Sequence, residues 1–454
     1  MIFLIAFIAY AIIGTAIAII ARKGIRSQED YYLGGRRIGG IVSALTYSAT
    51  TYSAFMMVGL VGLTYASGVG SLGFELFYLV GTLFLLSYYA PKIWKLGKER
   101  AYITPGDMMV DRYGKLVPKI MAVIVSIALI PYISVQLIGV SLIIEKNSTI
   151  SFTHAILASA FLIAFWAFLG GLRGVAWTDA IQGVFMLIMA VSAVMWAFSM
   201  LNGTFFGEIS RIGDLLIVPN KIWTPERFIA LTVPWFFFAL TNPQVFQRIY
   251  VPRDERALKK MVILFGTFGL IYTILVTFLG LELRVMTEIG SFPLLKDRDA
   301  VTPTFLGIMP PSLAVLISLS IFAAAITTAN SIVLTLASMI SRDLLGSNRI
   351  NTGQILIVVL TIAITLFSIQ RPGYIVNLAV LSSTLLLCQL PLILGVFHWK
   401  SGGEKAAIST LIVGFATAIL LFYMKLNPLG IPASVWTLVI SFATFFAVAS
   451  VEKS

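Results

Sequence analysis

Apolar runs of about twenty residues recur thirteen times along this chain, and nothing else constrains its fold as strongly. Twenty such residues are what an α-helix needs to cross the hydrocarbon of a bilayer. The runs lie near 2–21, 40–66, 71–91, 117–144, 153–172, 176–201, 227–247, 261–283, 311–340, 353–370, 374–397, 406–424 and 432–450. Only 11% of the 454 residues are charged and 59% are hydrophobic, where a soluble domain is about 25% charged. A soluble fold of this size buries at most about three-quarters of its surface, too little to hide so much apolar area. The chain therefore reads as an all-α integral membrane protein of about thirteen transmembrane helices without a soluble domain. The single cysteine, Cys388, has no partner for an internal disulfide, so a disulfide scaffold is excluded and the redox compartment is not legible.

The net charge of +12 invites a nucleic-acid reading, but the placement of the charges argues for a membrane. Loops alternate between basic and poor in basic residues. Of the 32 Lys and Arg residues, 23 fall on one side, including Arg22, Lys23, Arg36, Lys92, Arg112, Arg173, Arg248, Arg253, Arg342 and Lys405. The other nine, Lys146 and Arg371 among them, fall opposite. Basic loops stay in the cytoplasm, so the N-terminus is expected outside and the C-terminus inside the plasma membrane. The first run is followed by Arg22, Lys23 and Arg26 and preceded by no basic residue. A cleaved leader has the reverse flank. The basic residues are dispersed among acidic ones, so no nucleic-acid partner is expected. The expected partners are the lipid bilayer and a small-molecule solute, with the protein a monomer.

Enzyme signatures are missing. No HExxH, CxxC, phosphate loop or nucleophile elbow occurs, and the two histidines, His154 and His398, sit near opposite membrane edges. Two spans are instead interrupted. In 43–54 (SALTYSATTYSA) eight of twelve residues are Ser, Thr or Tyr, and 232–243 (TVPWFFFALTNP) carries two prolines. Proline removes an internal hydrogen bond, and freed backbone groups are tolerated at membrane depth only where protein or a cavity satisfies them. These segments are the second and seventh spans, so an odd separation places them in opposite orientations. Broken helices in matching positions of inverted halves point to a secondary transporter's central site.

The densest polar cluster, Phe322–Ser331 (FAAAITTANS), puts Thr327, Asn330 and Ser331 on one helix face with Thr328 beside it. Their hydroxyls are hard oxygen ligands suited to a hard cation, though a Ser/Thr stripe also holds helices together. Asp179 begins a span and is a functional candidate as an intramembrane carboxylate, with a helix-start role competing. Glu75 is a weaker candidate nearer the outer boundary.

At these residues the chain resembles the sodium/solute symporter family, in particular its proline permease-like branch. The resemblance runs from about Asp30 to Lys400 through DYYLGGRRIGG, SATTYSAFMMVGLVG, YISVQLIG, GGLRGVAWTDAIQ, PWFFFALTNPQVFQR and PPSLAVLISLSIFAAAITTANS, in that order. It implies one transporter domain, 1–454, with a five-plus-five inverted-repeat core of the leucine-transporter type. The repeats would be 40–201 and 227–397, with an extra helix at 2–21 and two more at 406–450. It implies Na⁺ as coupling ion, held by carbonyls of Ala49, Tyr52 and Ala324 and the hydroxyls of Thr327 and Thr328. A second Na⁺ site of some members maps to Asp179, Thr327, Asn330 and Ser331, with Asn330 in place of a serine. The solute would lie against Thr51, Phe55, Tyr132, Gln136, Trp235 and Ala239. Proline-type carriers have aspartate where this chain has Thr51, tyrosine at Ala239, and Gly-Gln-Pro at Thr241-Asn-Pro. The expected function is Na⁺-driven import of a small polar organic solute, an amino acid such as proline or a small carboxylate. The alternatives are a proton-coupled carrier of the same fold, with Asp179 titrating, and a non-transporting membrane sensor. The few residues after Ser450 weigh against a sensor with a signalling tail.

Overall fold

The fold is set by where the apolar helices are allowed to run and where glycine, proline and hydroxyl residues interrupt them. The computed structural model describes the backbone of residues 2–452 and the side chains of 4–452. Among them it is helical throughout, with one isolated bridge between Ile38 and Pro252. The long helices are α1 (Ile2–Arg22), α2 (Gly40–Thr51 continued by Phe55–Ser67), α3 (Gly70–Glu99), α4 (Leu116–Asn147) and α5 (Phe152–Met200). Then come α6 (Pro225–Phe236, Phe238–Thr241 and Pro243–Arg248), α7 (Glu255–Glu288), α8 (Pro311–Met339), α9 (Ile350–Ile369), α10 (Ile375–His398), α11 (Glu404–Tyr423) and α12 (Ala433–Glu452).

Among the described residues ten continuous helices are long and apolar enough to cross a bilayer, or eleven with the bent pair of α2. The expected thirteen differs at two places. Runs 153–172 and 176–201 form one 49-residue helical stretch, α5, kinked where Gly171 takes φ 49° and ψ −160°. A side chain there would strike the Tyr31 carbonyl at 2.6 Å, so glycine suits both the backbone and the close approach. The run 227–247 breaks into three pieces, none long enough to span alone, because the helix is interrupted at Phe237 (φ −91°, ψ 5°) and again where Asn242 is extended (φ −95°, ψ 108°) before Pro243.

α8 is the axis of the bundle. Every residue from Ile317 to Met339 is buried, which its small Ala, Ser and Thr residues permit by letting neighbours come close. α1 lies outside, with Ile5, Ile8, Ile12, Ile13 and Ile20 exposed, as befits a lipid-facing surface. Contacts between loops respect the two expected sides. At one end Arg342 reaches Asp107 (3.6 Å) and Gln28 (2.6 Å), and Arg112 donates to the Gly402 carbonyl (3.0 Å). At the other, Arg371 pairs with Glu145 (2.6 Å) and Arg298 donates to Asn377 (2.9 Å). Arg248 departs from its expected place among the basic loops. It ends the last piece of α6 and is 1% exposed.

Candidate ion and solute sites

The Ser/Thr/Tyr run of α2 breaks at Tyr52 (φ −90°, ψ 94°), and its two halves meet at 49°. The last carbonyls of a helix have no partner within it, and the helix dipole adds partial negative charge at that end. Side chains from α8 supply the partners. The Thr327 hydroxyl lies 2.9 Å from the carbonyl oxygens of both Ala49 and Ala324. The Thr328 hydroxyl donates to Ala49 at 3.0 Å. All four residues are buried, and neither hydroxyl accepts a hydrogen bond from any described residue, so their lone pairs remain free. Tyr52 stands at the break itself, its ring stacked on Phe265 (5.7 Å, 20°) and edge-on to Tyr78 (6.3 Å) and Tyr272 (5.9 Å). Carbonyl and hydroxyl oxygens in this arrangement match a hard monovalent cation. Among the described residues no group of three His, Cys, Asp or Glu could hold a softer metal.

Beyond the break the second half of α2 and the first pieces of α6 face each other through aromatic rings. Trp235 stacks on Phe55 (5.0 Å, 28°) and Phe238 (5.1 Å, 3°), with Tyr78 and Tyr132 edge-on at 5.4 and 6.3 Å. Gln136 on α4 accepts from the Ala54 amide at 3.2 Å and donates to the Tyr132 carbonyl at 3.3 Å. Thr51, Phe55, Tyr132, Gln136, Trp235 and Ala239 are all buried, so this conformation closes the region to solvent. Buried polar atoms normally have partners. Here the Trp235 Nε1, the Tyr132 and Tyr78 hydroxyls and the Thr51 hydroxyl have none. A stacked aromatic wall with converging unpaired donors and acceptors is the composition of a small-molecule site.

Two charged residues join this region that hydropathy placed elsewhere. Glu75 on α3 is buried, its Oε2 has no partner, and it is an electrostatic neighbour of Tyr52, Tyr78 and Tyr132. Arg248 lies beside Asp179, with Nη2 3.9 Å from Oδ2, and donates to Ser331 at 2.5 Å. Thr46 donates to the same Asp179 oxygen at 2.5 Å. The available signal for Arg248 was Asn242. A six-residue helix after the break rises only about 9 Å, so its last residue stays near membrane depth. Asn330 keeps an unpaired Oδ1 in this neighbourhood.

A helical bundle with two broken helices that carry oxygen ligands and an aromatic site at their breaks is a secondary transporter of the leucine-transporter fold, not an enzyme. A family model for the sodium:solute symporter family matches residues 31–414, so the chain belongs to that family. It is 25% identical over 436 residues to the uncharacterized symporter YodF of Bacillus subtilis, covering 91% of this chain and 85% of that one. It is 24% identical over 461 residues to the sodium/pantothenate symporter of Escherichia coli, covering 96% and 94%. Among solved structures it is similar to a substrate-bound, outward-open Na⁺-coupled sialic acid symporter, with TM-score 0.84 at 18% identity over 99% of this chain and 97% of that one.

Proposed function

We propose that the protein is a Na⁺-driven importer of a small polar organic solute. The observation that carries the reading is the convergence of the Thr327 and Thr328 hydroxyls on the Ala49 carbonyl at the break of α2. Na⁺ would enter there, held by Ala49, Tyr52 and Ala324 carbonyls and the two hydroxyls, and would tie α2 to α8. The solute would bind between Phe55, Tyr132, Trp235 and Ala239, with Thr51, Gln136 and Glu75 as polar contacts. Because both ligands favour the same arrangement of α2, each raises the affinity of the other. The repeats are assigned as 40–201 and 227–397, in the plasma membrane with the N-terminus outside.

The leading solute classes are amino acids, proline among them, and small carboxylates. The small Ala239 widens the pocket relative to a proline-type carrier, Thr51 removes a negative charge near the ion path, and one relative is named for pantothenate. Buried Glu75, with its unpaired oxygen, gives a proton-coupled carrier its best footing as the second reading. Uptake into proteoliposomes under an imposed Na⁺ gradient, across a panel of amino acids and carboxylates, tests the proposal. Accumulation that requires Na⁺ supports it. Equal accumulation in Na⁺-free buffer with an imposed proton gradient replaces it with proton coupling. Binding without accumulation leaves a sensor.

A further inference from the structure

The region expected to hold a second Na⁺ contains a cation of its own. Asp179 is fully buried, and a lone carboxylate in such surroundings requires a compensating charge. Arg248 supplies it: its guanidinium is 1% exposed and its Nη2 lies 3.9 Å from Asp179 Oδ2. The two residues come from different helices, α6 and α5, and meet against Ser331 of α8.

Ser331 is the residue that decides what else can bind. A serine hydroxyl has one proton to give and two lone pairs to accept with. Its proton goes to the Thr327 carbonyl at 2.8 Å. One lone pair accepts from Arg248 Nη2 at 2.5 Å. The Thr50 hydroxyl, 2.9 Å away, is a third partner, with either oxygen able to donate. Three partners leave Ser331 at most one lone pair for a metal ion. Thr327 and Thr328 are the reverse case, since each gives its proton and accepts nothing. The open hydroxyl lone pairs of α8 therefore lie on the Ala49 side, whereas on the Asp179 side the serine hydroxyl is taken and the open oxygens are Asp179 Oδ1 and Asn330 Oδ1, both close to the guanidinium charge. An ion ligated by Ser331 would also sit within a few ångströms of the guanidinium.

We propose that Arg248 is a built-in cation that takes the place of a second Na⁺, and that it fixes the coupling at one Na⁺ per transport cycle. The inference rests on the sodium-symport reading above and adds the stoichiometry to it. The unpaired Asp179 Oδ1, Arg248 Nε and Arg248 Nη1 show that the pair is not closed by further hydrogen bonds, so charge compensation is what it contributes.

The test is ²²Na⁺ binding to the purified full-length protein, titrated against K⁺ at constant ionic strength. The wild type is expected to bind one Na⁺ per chain, and Thr328→Ala to bind it about 100-fold more weakly. Arg248→Met, which removes the charge and keeps the bulk, is expected to gain a second Na⁺. That gain should be absent from the Arg248→Met/Asp179→Asn double variant. Arg248→Lys keeps a cation and is expected to stay at one, which guards against misfolding of the methionine variant. Two Na⁺ per wild-type chain, or Na⁺ binding of wild-type affinity in Thr328→Ala, overturns the inference and leaves sodium symport intact. One Na⁺ per chain in a folded Arg248→Met also overturns it. No Na⁺ binding by the wild type overturns the sodium reading itself.

Discussion

Thr328→Ala separates ion binding from folding because of how Ala49 is satisfied. The Ala49 carbonyl lies 3.0 Å from the Thr328 hydroxyl and 2.9 Å from that of Thr327, whose single proton it shares with the Ala324 carbonyl at 2.9 Å. Removing Thr328 leaves Thr327 within reach of the carbonyl, so no buried acceptor is orphaned. The expected structural cost is one hydrogen bond and a methyl group, about 1–2 kcal/mol. Removing a direct ion ligand should weaken Na⁺ at least as much as removing an outer partner does, about 100-fold at the upper end. At a Na⁺ concentration a hundred times the wild-type Kd, binding stabilises the folded protein by about 2.7 kcal/mol. A 100-fold weaker variant at the same concentration keeps only about 0.4 kcal/mol. Thermal unfolding in Na⁺ and in K⁺ at equal ionic strength measures this difference directly. The variant should match the wild type in K⁺ to within the structural cost and lose most of the Na⁺ increment. An undiminished Na⁺ increment in Thr328→Ala would refute the ion assignment.

Gly269→Ala places a Cβ 2.1 Å from the Tyr52 hydroxyl. Overpacking of that kind costs about 1–3 kcal/mol, and displacing Tyr52 should also reduce the Na⁺ increment in the same unfolding assay. Trp235→Phe keeps a ring but loses the indole nitrogen and part of the stack on Phe238, so solute KM should rise several-fold with little change in Na⁺ stabilisation, as uptake kinetics would show. Burial raises the Asp299 carboxyl to about 6, opposed by its bond from the Ile375 amide and by nearby Arg298. The folded protein then holds a proton there that the unfolded chain has released, so this group favours folding below about pH 4 and loses that contribution as pH rises to about 6. Asp299→Asn should flatten the stability profile between those values. An impermeant thiol reagent applied outside intact cells should leave Ser454→Cys unlabelled, and labelling would invert the proposed orientation.

The helices were legible because bilayer-length apolar runs admit one structure, and the two breaks were legible because hydroxyl residues and prolines stood where leucine and valine would be expected. The meeting of Thr328 with Ala49, 279 positions apart, was legible only through the family resemblance, since nothing local announces it. Arg248 was misplaced for a physical reason. Hydropathy assigns the first arginine after an apolar run to the membrane edge, and it cannot see that Asn242 and Pro243 restart the helix deep in the bundle. Glu75 was undervalued similarly, because its tyrosine neighbours come from α2, α3 and α4. The count of spans was blurred at Gly171, where the kink lies within one helical stretch.

The threonine contacts of the Ala49 carbonyl bear on how strongly an ion could be held at the break of α2. On the proposed reading, a cation entering there takes the carbonyl over from hydroxyl protons instead of finding it bare. Its binding is then an exchange of partners, and the net gain is the difference between two sets of bonds. Such a difference suits a weakly held and readily released ion more than a tightly bound one.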